Sequence, residues 1–261
     1  MRHRTPFLGI EFDAVTTDEA ARAVAERARR LGPFGYVATP NVDHLVRLDR
    51  RPELGKLYSG AWMTLCDSRI IELFAEASHV DLAAAPGADL VERLFRNHIR
   101  TDDTVVVVGA TKEVVAALRE RFQLSDLRWF DAPPGLADSA DGRKACVGFI
   151  RENPSSYVFL AVGSPQQEMI AHEAQLAGDC AGVAICCGAA LEFLAGLVPR
   201  APRGMRIYRL EWLYRLAREP ARLWRRYLVD GPRIFVIWHR WRSAVPIASV
   251  TTGDVAVSSR W

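Results

Sequence analysis

The sequence is most informative at first in what it lacks. It holds five cysteines, Cys66, Cys146, Cys180, Cys186 and Cys187, an odd number with no CxxC pair. No histidine stands near them at metal-ligand spacing. That pattern excludes a disulfide framework and a zinc site, and describes reduced, mostly buried thiols of a cytoplasmic protein. Cys187, beside Gly188, reads as another core thiol, with a place facing a site as the alternative. No run reaches about 18 uninterrupted apolar residues, so no spanning helix is predicted. The basic N-terminus, Met1 to Pro6, has no apolar signal-peptide core behind it. There is no GxGxxG fingerprint, internal repeat or low-complexity tract.

What is present fits one large α/β domain with an appendage. The chain has 261 residues, 49% of them hydrophobic, and a net charge of +3. That charge is unevenly spread. Residues 200–242 carry twelve arginines against Glu211, Glu219 and Asp230, a balance of +9. Residues 243–261 are neutral, which leaves −6 on the first 199. An acidic body with a basic C-terminal segment points to an anionic partner for that segment.

Short apolar runs alternate with helical patterns along the first 190 residues. Strands are predicted at 35–39, 61–66, 104–108, 127–130, 157–162 and 182–186, with a short strand and turn at 7–13. Thr16 and Glu19 form a capping box before a helix to about Leu31. Helices follow at 42–50, from Pro52, from Ser68, and at 88–99, 112–122 and 143–152. Alternation of this kind gives βαβ units and a mostly parallel, Rossmann-like sheet flanked by helices. Ligands of such sheets bind beyond the carboxyl ends of the strands. Asn41, Asp67, Gly109, Gly163 and Gly188 all fall at such ends.

Gly163-Ser-Pro-Gln-Gln-Glu168 is the sharpest local signal. Ser164 reads as an N-cap, Pro165 as the first helical residue and Gln167 as the third, in a capping box. A turn of this kind offers free N–H groups and the positive end of a helix dipole to a phosphate. It also makes sense as a capped βα junction with no ligand. From Pro199 onward Arg and aromatics interleave, and Glu219-Pro220 breaks the helical pattern. Three readings stay open for this stretch: a basic amphipathic membrane-surface segment, a helical hairpin packed on the body, or a nucleic-acid surface. The acidic body argues against a broad nucleic-acid footprint. The boundaries predicted are 1–196 for the Rossmann-like body, 197–242 for a basic helical appendage and 243–261 for a mobile tail.

Taken together, several stretches resemble the WecG/TagA/CpsF family of glycosyltransferases (glycosyltransferase family 26). They are Thr39-Pro-Asn-Val-Asp-His44, Leu65-Cys-Asp67, Pro86-Gly-Ala-Asp-Leu-Val91, Val107-Val-Gly109, Gly163 to Glu168, Cys187 to Gly196, Arg200-Ala-Pro202, and Leu210 through Glu219-Pro220 to Leu228. The likeness runs over about residues 7–235. It implies an inverting transfer of sugar from a UDP-sugar to a polyprenyl-pyrophosphate-linked saccharide, without a metal or other cofactor, at the inner face of the cytoplasmic membrane. The products of such enzymes are surface polysaccharides or exopolysaccharides. The chain agrees in having no DxD motif.

By the same resemblance Asp67 matches the catalytic base, an alternative to its reading as the N-cap of the next helix. Thr39 and Asn41 match pocket-lining residues, alternatives to a strand-ending turn. Gln167 matches a glutamine lining the pocket, Gly163 lets backbone approach the diphosphate, and Gly109 is a further substrate-binding candidate at a matched strand end. Glu192 stands where the family more often has Asp, and Ser68 where it has Gly. Arg215, Arg222 and Arg225 match appendage arginines that suit a pyrophosphate through bidentate hydrogen bonds. Partners implied are the UDP-sugar, the lipid-linked acceptor and an anionic membrane, but no nucleic acid. A homo-oligomer and a UDP-binding scaffold without transfer chemistry are open alternatives.

Overall fold

The computed structural model describes residues 4–30, 32–202, 204–205 and 210–244. The tail expected at 243–261 falls almost wholly outside them. Near the N-terminus β1 (Arg4–Phe7) and β2 (Ile10–Asp13) form an antiparallel hairpin. Leu8 and Gly9 make its turn, both at positive φ, the conformation that a two-residue hairpin matching strand twist requires.

Six parallel strands form the main sheet: β3 (Gly35–Ala38), β4 (Met63–Thr64), β5 (Thr104–Gly109), β6 (Asp126–Phe130), β7 (Tyr157–Ala161) and β8 (Val183–Cys186). Their spatial order is β4-β3-β8-β7-β5-β6. The predicted α/β class and parallel sheet are those observed. β4, at one edge of the sheet, is shorter than the 61–66 run implied.

Side chains alternate across the strands and build two cores. Tyr36, Val106, Val108, Val158, Leu160 and Ala184 face one side. There they meet α2 (Val42–Arg50), α4 (Arg69–Glu76), α7 (Ala140–Glu152) and α8 (Gln166–Ala177). Val37, Val105, Val107, Phe159 and Ile185 face the other side, against α1 (Thr17–Arg30), α5 (Gly87–Asn97), α6 (Lys112–Phe122) and α9 (Ala190–Ala195). A short α3 (Lys56–Ser59) precedes β4. The Thr16–Glu19 box forms as the spacing predicts, with Glu19 N–H donating to Thr16 Oγ1 and Thr16 N–H to Glu19 Oε2. α7 starts three residues early because Ser139 caps it, accepting from Gly142 N–H at 3.1 Å.

Beyond α9 the described chain forms α10 (Glu211–Arg218), α11 (Pro220–Trp224), a π-helical turn (Arg225–Asp230) and α12 (Arg233–Ala244). α12 joins the body. Ile234 and Ile237 enter the first core, Trp238 stacks on Phe74 at 4.8 Å, and its indole N–H donates to Ser78 Oγ at 2.8 Å. Asp49 of α2 accepts from Arg233 at 2.6 Å and pairs with Arg240, while Arg50 meets Asp230 at 2.5 Å. Of the three readings of the basic stretch, packing on the body therefore describes α12.

Candidate active site

Because all six strands are parallel, their carboxyl ends share one rim. The β4 end is carried past the strand proper: Leu65 N–H donates to Ala38 O at 2.9 Å and Asp67 N–H to Pro40 O at 3.0 Å. Asp67 thus stands beside the turn that ends β3. The returning chain pairs next, with Ala85 N–H donating to Cys66 O at 2.8 Å. This brings the start of α5 to Asp67, whose Oδ1 accepts Gly87 N–H at 3.1 Å.

The cap of α4 is Ser68, whose Oγ accepts Ile71 N–H at 3.3 Å. The alternative of Asp67 as that cap is overturned, since the hydroxyl one residue later reaches the helix and leaves the carboxylate to the rim. Burial pushes Asp67 up to about 6 from its ordinary 3.8, against the pull of the Gly87 N–H and of His44. Glu211 adds to the rise and Arg200 opposes it.

Thr39 is wedged between two elements. Its hydroxyl donates to Cys186 O at 3.3 Å, and a Cβ on Gly87 would lie 2.9 Å from Thr39 Oγ1. Asn41 is the N-cap of α2; its Oδ1 accepts Asp43 N–H at 3.1 Å, and His44 completes the box. The strand-ending turn is thus realised, with the Asn41 amide still on the rim.

Around β7 the expected capping box is absent. The N-cap of α8 is Pro165, without a side-chain bond, and Ser164 Oγ accepts from Arg47 of α2 at 2.8 Å. A tertiary partner has taken the hydroxyl that local spacing assigns to the helix. Gln167 is 4% exposed and fully engaged: its Oε1 accepts Gly188 N–H at 2.9 Å and its Nε2 donates to Glu168 Oε1 at 2.8 Å. It ties the β7 loop to the β8 loop.

The two glycines differ. Gly163 has φ +77° with open space where a Cβ would stand, so backbone there is accessible to a ligand. Gly109 has φ +81°, and a Cβ would come 2.6 Å from Val162 Cγ1. Packing against β7 accounts for it. Cys187 is a core thiol, its Sγ donating to Leu160 O at 3.3 Å.

A cleft of about 530 Å³ opens between α9 and the C-terminal helices. Glu192, Phe193, Arg215, Arg218, Glu219 and Arg222 line it. Three of the residues marked by resemblance, Glu192, Arg215 and Arg222, therefore meet. Arg215 lies over the Phe193 ring at 5.9 Å, and Arg222 pairs with Glu219 at 2.5 Å. Arg225 is exposed and is not among the cleft's lining residues.

Arg200 joins α5, whose first N–H Asp67 accepts, to α10, which carries the cleft's Arg215. It bonds Asp89 in the first turn of α5 at 2.6 Å and reaches Glu211, the first residue of α10, at 3.5 Å. Arg200, Glu211, His44 and Glu168 had no role from sequence reasoning. All four lie within the stretches that carry the resemblance, but nothing in spacing says what they face. Among the described residues, no group of three or more His, Cys, Asp or Glu is placed to hold a metal ion.

The family model for glycosyl transferases of the WecG/TagA/CpsF type matches residues 5–245. That span takes in the whole rim, the cleft and the helices that close it. With Asp67, the Gly163 turn and the cleft arginines all inside the match, the chain belongs to the WecG/TagA/CpsF family of glycosyltransferases.

Proposed function

We propose that the protein transfers a sugar, with inversion and without a metal, from a UDP-sugar to a polyprenyl-pyrophosphate-linked saccharide, in the biosynthesis of a surface polysaccharide or exopolysaccharide. The observation that carries this reading is the Asp67 carboxylate. It stands on the ligand-binding rim of a parallel sheet, is not the cap of the helix that follows it, and is lifted to about 6 by burial. A carboxylate of that basicity is a better proton acceptor than an ordinary one and is still ionised at neutral pH.

In this mechanism the acceptor hydroxyl gives its proton to Asp67 as its oxygen bonds to the anomeric carbon. The bond from that carbon to the UDP oxygen breaks on the opposite face, and UDP departs. Arg215 and Arg222 are suited to the charge that develops on the departing diphosphate, and the open Gly163 turn to a phosphate oxygen. Thr39, Gln167 and Gly109 shape the rim, and Asn41 offers its amide to the acceptor. Ser68, which departs from the family's glycine, serves as a helix cap and so does not remove the chemistry. That favours transfer over the alternative of a UDP-binding scaffold.

The place of work we propose is the inner face of the cytoplasmic membrane. No helix among the described residues is long and apolar enough to cross a membrane. Among the described residues, seven of the ten large exposed hydrophobics fall in 210–236: Leu210, Leu213, Trp224, Leu228, Val229, Phe235 and Val236. Exposed Arg225, outside the cleft, accompanies them, and a cation among apolar side chains suits an interfacial surface. Two assays test the proposal. The rate of acceptor-dependent UDP release should fall as pH drops through about 6, where Asp67 takes a proton. Anionic liposomes should retain the wild type and release Trp224→Glu/Phe235→Glu; equal retention would contradict the membrane assignment.

A further inference from the structure

Two buried ionisable groups stand inside the rim without a part in the mechanism above. His44, in the first turn of α2, is 6% exposed, and Glu168, in the first turn of α8, is 1% exposed. His44 Nε2 lies 3.6 Å from Glu168 Oε1. On the other side of the ring, Nδ1 lies 2.8 Å from Asn41 Oδ1 and 3.2 Å from Asn41 N. Glu168 Oε1 also accepts from Gln167 Nε2, and Gln167 Oε1 accepts from Gly188 N–H. One continuous polar chain therefore joins the turns that follow β3, β7 and β8.

A buried carboxylate–imidazole pair seldom adds net stability, because desolvation offsets the attraction. Removing one partner is costly, so such a pair fixes geometry more than it stabilises. We infer that His44 and Glu168 are a positioning pair for the reaction: Glu168 fixes the His44 ring, the ring fixes the Asn41 turn, and the two together hold the rim around Asp67. This rests on the glycosyl-transfer reading of Asp67.

The surroundings support it. Burial pushes Glu168 up, yet His44, Gln167 and Ser164 outweigh it and hold the carboxyl below its ordinary value. His44 is also among the charges that pull Asp67 down toward its ionised form. The ring faces Glu168 from α8, the Asp67 loop after β4, and Tyr58 of α3, edge-on at 6.3 Å. Its own helix carries Asp43 and Arg47, which pair with each other at 2.7 Å. Glu168 in turn acts on Tyr36 of β3, Tyr58 and Cys186 of β8, each of which burial pushes up first.

The test uses the full chain with His44→Gln, Glu168→Gln and the double variant. Each single change should lower kcat by about 10- to 100-fold, as small misplacements of reacting groups do, and leave the KM for donor little changed. The double should fall no further than the worse single, the behaviour of residues that act as a unit. In His44→Gln the acid limb of the kcat/KM profile should move upward in pH. Imidazole 15N shifts of His44 should change in Glu168→Gln, a readout that needs no activity.

Multiplied losses in the double, or an unaltered kcat with an unmoved acid limb, would overturn the pairing. If not even the wild type transferred sugar, an unresponsive His44 ring would overturn the pair, while a responsive ring would leave the pair standing and overturn only the reaction. Should Glu168→Gln fail to fold, Glu168→Asp keeps the charge, withdraws it by one methylene and takes its place in the same tests.

Discussion

Replacing Asp67 with Asn should stabilise the fold while removing the activity. Burial lifts this carboxyl from 3.8 to about 6, so its ionised form is disfavoured in the folded state. The sign follows from linkage: the folded state binds the proton more tightly than the unfolded chain does. The cost of ionisation is absent below about 3.8, grows between there and about 6, and is complete above. At one pKa unit per 1.36 kcal/mol, it reaches at most about 3 kcal/mol at neutral pH. Asn is isosteric, carries no charge, and its Oδ1 can still accept the Gly87 N–H. For a chain of this size, 1 kcal/mol corresponds to roughly 2–4 °C in melting temperature. Thermal and urea unfolding of both proteins at pH 8 and pH 4 is the assay. The variant should be more stable at pH 8, by several degrees, and nearly equal to the wild type at pH 4. A variant no more stable than the wild type at pH 8, or equally advantaged at both pH values, would refute the account of a desolvated base.

Other expectations follow from the same geometry. Gln167→Leu leaves the Gly188 N–H and the buried Glu168 carboxylate each short of a partner, so urea unfolding should show a loss of about 2–4 kcal/mol. Gly109→Ala must place a Cβ against Val162 and in a left-handed conformation, and should cost about 2–3 kcal/mol. Gly163→Ala meets open space and should cost about 1 kcal/mol, yet weaken UDP binding in calorimetry if a diphosphate approaches this turn. Asp49→Asn frees Arg233 and Arg240, which are partly exposed and screened, so the stability loss should be about 1 kcal/mol or less. Limited proteolysis should then cut between α11 and α12 sooner than in the wild type.

Much of the fold was readable because strand and helix periods are clean here. The valine run at 104–108 and the helix at 112–122 are settled locally, and so is the Thr16 cap. The failures at the rim come from long-range partners. Ser164 looks like a cap until Arg47, more than a hundred residues upstream, takes its hydroxyl. Asp67 looks like a cap until Ser68 serves instead and Gly87, twenty residues on, occupies the carboxylate. Composition shows that residues 200–242 are basic. It does not show that Arg226, Arg233 and Arg240 are met by Asp43 and Asp49 of α2. At the rim, the types of residue were legible, but their occupations were not. Gln167 reads by spacing as part of a capping box and is a bridge between two loops in space. His44 and Glu168 lie within quoted motifs, and only the fold brings them together.

The measurement that bears most directly on the central claim is UDP release from a panel of UDP-sugars with a polyprenyl-pyrophosphate-linked sugar, for the wild type and Asp67→Asn side by side. The account predicts acceptor-dependent release with one donor by the wild type and its loss in the folded variant, with UDP binding retained. Equal release by the two proteins would contradict the assignment of Asp67 as the base. UDP binding with no release by the wild type on any lipid-linked acceptor would contradict the transferase reading itself.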